Sequence, residues 1–224
     1  MMVSRAEQYQ EKASAYFGAA RSEVLPLLAS TSDRVLEIGC GAGRTLELLK
    51  RSGRCRTSYG VELVPAVAEE ARSRVDHVFV GSIEDLALPL DPGSMNAILC
   101  LDVLEHMVDP WSAVAKLTAL LAPGGVLVAS IPNVQNYRVI LPLLLGRWEY
   151  TAEGLLDRTH LRFFTRASAI ELLECSGLIV ERVNVTGIFG RTLRALNLLP
   201  VLRPFLGFQY LLCARKPQLA VSRR

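Results

Sequence analysis

Val35-Leu36-Glu37-Ile38-Gly39-Cys40-Gly41-Ala42-Gly43 is the stretch on which the reading of this chain turns. Its first four residues make a short apolar strand that runs without a spacer into three alternate glycines, and Arg44 to Lys50 then reads as the start of a helix. Glycine at a strand end permits a tight turn and lets a ligand approach backbone that a Cβ would cover, while the helix behind it offers unpaired N–H groups. A turn with a purely structural role would use the same glycines, so the residues around the loop have to decide.

Outward from the loop the alternation continues. Ser58 to Val61, Val78 to Val80, Asn96 to Leu101, Val126 to Ile131, Ile179 to Val185 and Gln209 to Ala214 read as strands. Pro65 to Arg74, Val114 to Leu121 and Arg166 to Cys175 read as helices between them. Strands and helices at this spacing predict one α/β domain over residues 1–224: a three-layer, mostly parallel seven-stranded sheet with helices on both faces and right-handed crossovers. Residues 1–30 are expected as N-terminal helices broken at Pro26. Two segments, 133–159 and 187–207, exceed the minimal alternation. Insertions on such a scaffold are where substrate choice usually resides, and these two are expected to form the substrate side or an oligomer contact.

At 224 residues, 50% hydrophobic and 21% charged, the chain has enough apolar side chain for a sizeable core, which excludes a disordered or fibrous protein. Its formal charge of +3 is too small to argue for a nucleic-acid binder. All 22 acidic residues lie at or before Glu181, and from Arg182 onward the chain is basic and apolar. That tail suits a hydrophobic lid or homodimer contact, or an anionic membrane surface touched peripherally. Five widely spaced cysteines indicate neither a disulfide framework nor a zinc ribbon. No apolar leader and no membrane-length apolar run are seen, so a cytoplasmic chain is expected.

Beside the loop stand two carboxylates. Glu37 lies inside the strand end, an odd place unless it accepts hydrogen bonds from the loop or from a ligand's ammonium group. Glu62 closes the second strand, where an acidic residue can accept both hydroxyls of a ribose; it could also serve as a simple N-terminal carboxylate for the next helix. Asp102 and Glu105 read equally well as first-turn acids of the helix after the fourth strand. The loop is G-x-G-x-G rather than the G-x-G-x-x-G of dinucleotide folds.

Five segments, VLEIGCGAG (35–43), YGVEL (59–63), VGSIEDLAL (80–88), LCLDVLEHMVDP (99–110) and LLAPGGVLVASIPN (120–133), together resemble the class I S-adenosylmethionine-dependent methyltransferases. The resemblance is to the group that includes ubiquinone-type O-methyltransferases and MetW-like proteins. It implies a Rossmann-like fold and S-adenosyl-L-methionine as cofactor. By that pattern Glu37, Gly39, Cys40 and Gly41 border the methionine end, and Glu62 with Leu63 the ribose. Ser82 and Ile83 lie along the adenine, Leu101 lines the pocket, and Arg21 with Tyr16 meets the donor's carboxylate. Ser82 departs from the Asp frequent in relatives and offers a weaker acceptor to the adenine amino group.

Methyl transfer from a sulfonium is an in-line displacement, so the protein aligns donor and acceptor and manages the acceptor's proton. Histidine suits that task near neutral pH. Of the three histidines, His77 is expected at the surface, while His160, in the DRTHLRFFT run (157–165), is the expected base or hydroxyl orienter and His106 the next candidate. Arg158 and Arg162 are candidates for an acidic substrate group or a salt bridge to Asp157. No metal is expected to be required. The expected activity is O-methylation of a small-molecule or glycan-linked acceptor, the alternative a MetW-like partner protein that retains cofactor binding without catalysis.

Overall fold

A computed structural model describes residues 20–29, 31–188 and 201–218. Its seven strands are β1 (Arg34–Ile38), β2 (Thr57–Glu62), β3 (His77–Val80), β4 (Met95–Leu101), β5 (Leu121–Pro132), β6 (Ile179–Thr186) and β7 (Gln209–Arg215). They form one sheet in the order β3-β2-β1-β4-β5-β7-β6. The first five are parallel, and β7 lies antiparallel between β5 and β6. Every residue of β1 after Arg34 is buried, as strands covered on both faces must be.

The helices are α1 (Arg44–Arg51), α2 (Pro65–Ala71), α3 (Pro110–Leu120), α4 (Tyr137–Leu144), α5 (Arg166–Glu174) and the single turn α6 (Arg203–Leu206). Val114 and Leu117 of α3 and Leu172 of α5 pack with Leu36 and Ile98 on one face of the sheet. Leu46 and Leu49 of α1 pack with Val35 and Leu99 on the other. The three layers expected from the alternation are therefore present.

Two boundaries differ from the expected ones for local reasons. Helix α3 begins four residues before Val114, because the Asp109 carboxylate accepts from the Ser112 N–H and Pro110 fits the first helical position. Near the N-terminus, Ser22–Leu27 is a 3-10 turn with Pro26 inside it rather than the end of an α-helix. Helix α5 starts where Thr165 was expected to cap it: Thr165 and Ser168 form a reciprocal capping box.

The two insertions meet. Asn133 donates through its amide to the carbonyls of Pro204 (2.7 Å) and Gly207 (2.9 Å), and Asn136 to Gly207 (2.7 Å). Among the described residues no helix is long and apolar enough to cross a membrane.

Candidate functional site

The strand order reverses between β1 and β4, which opens a crevice at their carboxyl ends. A cavity of about 270 Å³ fills it, walled by the glycine loop, the ends of β1, β2 and β4, and the turns that follow β3 and β4. Arg21, Glu37, Gly39, Cys40, Gly41, Glu62, Leu63, Ser82, Ile83, Leu101 and His106 all line it. Tyr16 lies outside the described residues. His160 does not line this cavity.

Glu62 is the hinge of the arrangement. Its Oε2 accepts from the Gly41 N–H and its Oε1 from the Val64 N–H, both at 2.9 Å, so one carboxylate ties the glycine loop to the entry of α2. It is thus both a structural anchor and a cavity wall. Burial pushes its pKa up, and these backbone donors oppose the shift. Gly41 is held at φ +53° and Gly39 at +67°. A Cβ on Gly39 would also meet Val103 Cγ2 at 2.7 Å.

Glu37 is 3% exposed, and its Oε2 has no hydrogen-bond partner. Burial raises its carboxyl to about 8, although the Thr45 hydroxyl and the Arg21 charge favour ionisation. A buried acceptor without a donor fits an incoming ammonium group, which is what the methionine end of S-adenosylmethionine presents. Arg21 bonds Glu23 (2.5 Å) and pairs with Asp102 beside it. Asp102 is not a helix carboxylate: among the described residues it is the one non-glycine at positive φ (+55°). The Ser130 hydroxyl holds it there, donating to Oδ1 at 2.7 Å and accepting from its N–H at 2.9 Å. Such a backbone stores about 1–3 kcal/mol, and it turns the carboxylate toward Arg21.

The loop after β3 is fixed from outside. Lys116 Nζ donates to the carbonyls of Ile83 (2.7 Å) and Leu86, and Glu84 Oε1 accepts from the N–H groups of Val108 and Asp109. Neither Lys116 nor Thr45 stood out in the sequence; both are polar residues on helices, placed by crossovers that only the fold reveals.

His106, in the 3-10 turn Leu104–His106, is the histidine that lines the cavity. His106 Nδ1 meets the Thr159 carbonyl at 3.0 Å, and its ring stands edge-on to that of His160 at 4.7 Å. His160 is 8% exposed, with Nδ1 3.2 Å from the Leu155 carbonyl. The expected base therefore stands behind the next candidate. Glu105 is also buried, and neither of its carboxylate oxygens has a hydrogen-bond partner. It is not an exposed first-turn acid. Asp157 Oδ1 accepts from the Thr159 N–H and hydroxyl, and Arg162 reaches the Val108 carbonyl and lies over Trp111. Arg158 is exposed, as is His77, which stacks on Tyr59.

With this geometry in view, residues 9–183 match the family model described as a methyltransferase domain. The chain belongs to that methyltransferase family. It is 33% identical over 165 residues to the ubiquinone biosynthesis O-methyltransferase of Xanthomonas campestris pv. campestris, an alignment covering 66% of each protein. The chain thus spans slightly less than two thirds of the length of that curated relative. A crystallised SAM-dependent methyltransferase from Archaeoglobus fulgidus superposes with a TM-score of 0.68 at 17% identity, covering 91% of this chain and 92% of the other. One from Mesorhizobium loti gives 0.64 at 18%, covering 89% and 99%. Fold and family are those of S-adenosylmethionine-dependent methyltransferase enzymes.

The carboxyl of Glu37 yields a test of the methionine end. Its folded value of about 8 lies above its ordinary 4.5, so its contribution to stability is full below pH 4.5 and is lost as pH rises through 8. An ammonium beside it reverses that preference. S-adenosylmethionine binding at pH 7 is expected to release about one proton and to tighten as pH rises toward 8. Calorimetry in two buffers of different ionisation heat reads that proton. Glu37→Gln is expected to remove the release, and proton release unchanged in that variant would take Glu37 out of the site.

Proposed function

We propose that the chain methylates a hydroxyl of a small-molecule or glycan-linked acceptor, using S-adenosyl-L-methionine bound in the 270 Å³ cavity. The observation that carries this reading is that one cavity is lined by both Glu37, with its partnerless oxygen, and His106. The cofactor supplies an electrophilic methyl on a sulfonium. Glu37 and Arg21 would hold its amino-acid end, Glu62 and Leu63 its ribose, and Ser82 and Ile83 its base. His106 stands where an acceptor hydroxyl would need a partner for its proton, with His160 behind it fixing the ring. The relative's name, an O-methyltransferase, supports oxygen as the acceptor atom.

The first insertion and Phe208 border a second hollow of about 490 Å³, lined by Arg138, Arg147 and Glu149 among others, with the size and mixed polarity to take part of an acceptor. On α4 and just past it, Leu144 and Leu145 are 76% and 74% exposed. Those leucines favour the second reading, a MetW-like partner protein that binds cofactor without turnover, or a homodimer or membrane contact by a catalytic chain. Placement in the cytoplasm remains part of the proposal.

A labelled methyl-donor assay against metabolite and glycan extracts tests the leading reading: a labelled, base-stable ether product is expected. Cofactor binding with no transfer to any acceptor would favour the partner. For the ribose subsite, Glu62→Ala is expected to weaken cofactor binding by roughly 1.5–3 kcal/mol, the usual worth of hydrogen bonds to a charged group. Calorimetry showing wild-type affinity in that variant would remove Glu62.

A further inference from the structure

One ligand atom each from Glu105, His106 and His160 lies within 4.8 Å of the other two. The hydrogen bonds around them restrict what can sit between. A carbonyl oxygen cannot donate, so the contacts from His106 Nδ1 to Thr159 and from His160 Nδ1 to Leu155 require a proton on each Nδ1. The unprotonated nitrogen of each ring, the one with ligand chemistry, is then Nε2. Metal-binding histidines are commonly fixed this way, with the second ring N–H given to a backbone carbonyl. Glu105 adds a carboxylate that is 1% exposed and has no hydrogen-bond partner on either oxygen.

An ionised carboxylate in such a place costs several kcal/mol unless a positive charge meets it. A single proton could bridge one pair among these three acceptors. A divalent cation can take one ligand atom from each. Two imidazoles and one carboxylate are the donor set of zinc and its neighbours, with coordination positions left open. The ligand atoms, now at most 4.8 Å apart, would have to settle at about 3.3 Å, the spacing that 2.0–2.1 Å bonds in a tetrahedral site impose. That is a rotation of side chains, not of the fold.

We propose that Glu105, His106 and His160 bind one divalent transition-metal ion, of which zinc is the best match, in the wall of the cavity that His106 lines. The binding itself stands on this cluster alone. Its catalytic meaning rests on the reading of the cavity beside His106 as the acceptor subsite. There the ion would take the acceptor oxygen as a ligand and favour its ionised form, the proton leaving to solvent.

The test uses the full, tag-free chain carrying Cys175→Ser, since Cys175 is the exposed cysteine among the five and could bind metal on its own. After chelator treatment it is titrated with cobalt(II), then zinc. The expected result is one equivalent of cobalt with visible d–d bands, displaced by zinc, and a melting temperature raised by metal. Glu105→Gln and His160→Gln are each expected to weaken binding by at least about tenfold and to lose the metal-dependent rise in melting temperature. Absence of a saturable single equivalent would overturn the proposal, as would binding unchanged in both variants. Should Glu105→Gln fail to fold, His160→Gln and the wild-type stoichiometry decide. Methyl transfer persisting in metal-free protein would sink the site's catalytic role and leave the methyltransferase reading intact.

Discussion

Gly41→Val is expected to remove S-adenosylmethionine binding, by about 100-fold or more in affinity, in a protein that still folds. Gly41 sits at φ +53°, a region a β-branched residue resists, and its N–H is one of the two donors that orient Glu62. Relieving the strain means rotating that peptide, which withdraws the donor and frees the carboxylate. The new side chain would also stand in the cavity wall. Two losses of about 1.4 kcal/mol each already make the hundredfold. Calorimetry beside a thermal melt separates lost binding from lost fold, and near-normal affinity in the folded variant would mean that the loop is a structural turn only.

The second large effect is expected at the histidine that lines the cavity. His106→Ala is expected to lower methyl transfer by roughly 10²–10⁴, the usual worth of a positioned proton acceptor, while leaving cofactor affinity within about twofold. The pattern with His160 separates two ways of working. If His160 only steadies the ring beside it, His160→Ala costs less, about tenfold, and adds little once His106 is gone. If both hold one ion, either change costs the same, and the double variant costs no more. A wild-type rate in His106→Ala across pH 6 to 9 would leave this histidine structural.

Much of the architecture was legible because each strand carries its own signature. β1 is an apolar run stopped by glycine, and β5 and β7 are rich in apolar residues with turn signals nearby. That Glu37, Gly39, Gly41 and Glu62 meet at one cavity was legible for a related reason: they lie within or directly beside the strands that place them. The acceptor side was not. His160 stood out by the density of its segment, but density does not say which of two neighbouring, edge-on rings faces the cavity, and His106 does. Asp102 read as a helix acid because nothing local announces a left-handed turn held by Ser130, 28 residues away. Glu105 read the same way, since burial of a single carboxylate is a property of packing. Contacts between distant segments, such as Lys116 with the carbonyl of Ile83, leave no periodic trace.

The position of β7 has a consequence for how the molecule is made. β1 to β5 pair with one another, so every partner they need lies within residues 34–132. β6 has no such partner, because it pairs with β7, which itself pairs with β5. As the chain leaves the ribosome, the crevice between β1 and β4 can therefore assemble early, while the outer edge of β5 and the whole of β6 wait for Gln209–Arg215. Until then a nascent chain exposes an unpaired, strongly apolar edge, the kind of template on which strands from other chains add. Chains that stop short of residue 209 would keep that edge unpaired, so premature termination here is expected to give aggregation rather than a shortened enzyme.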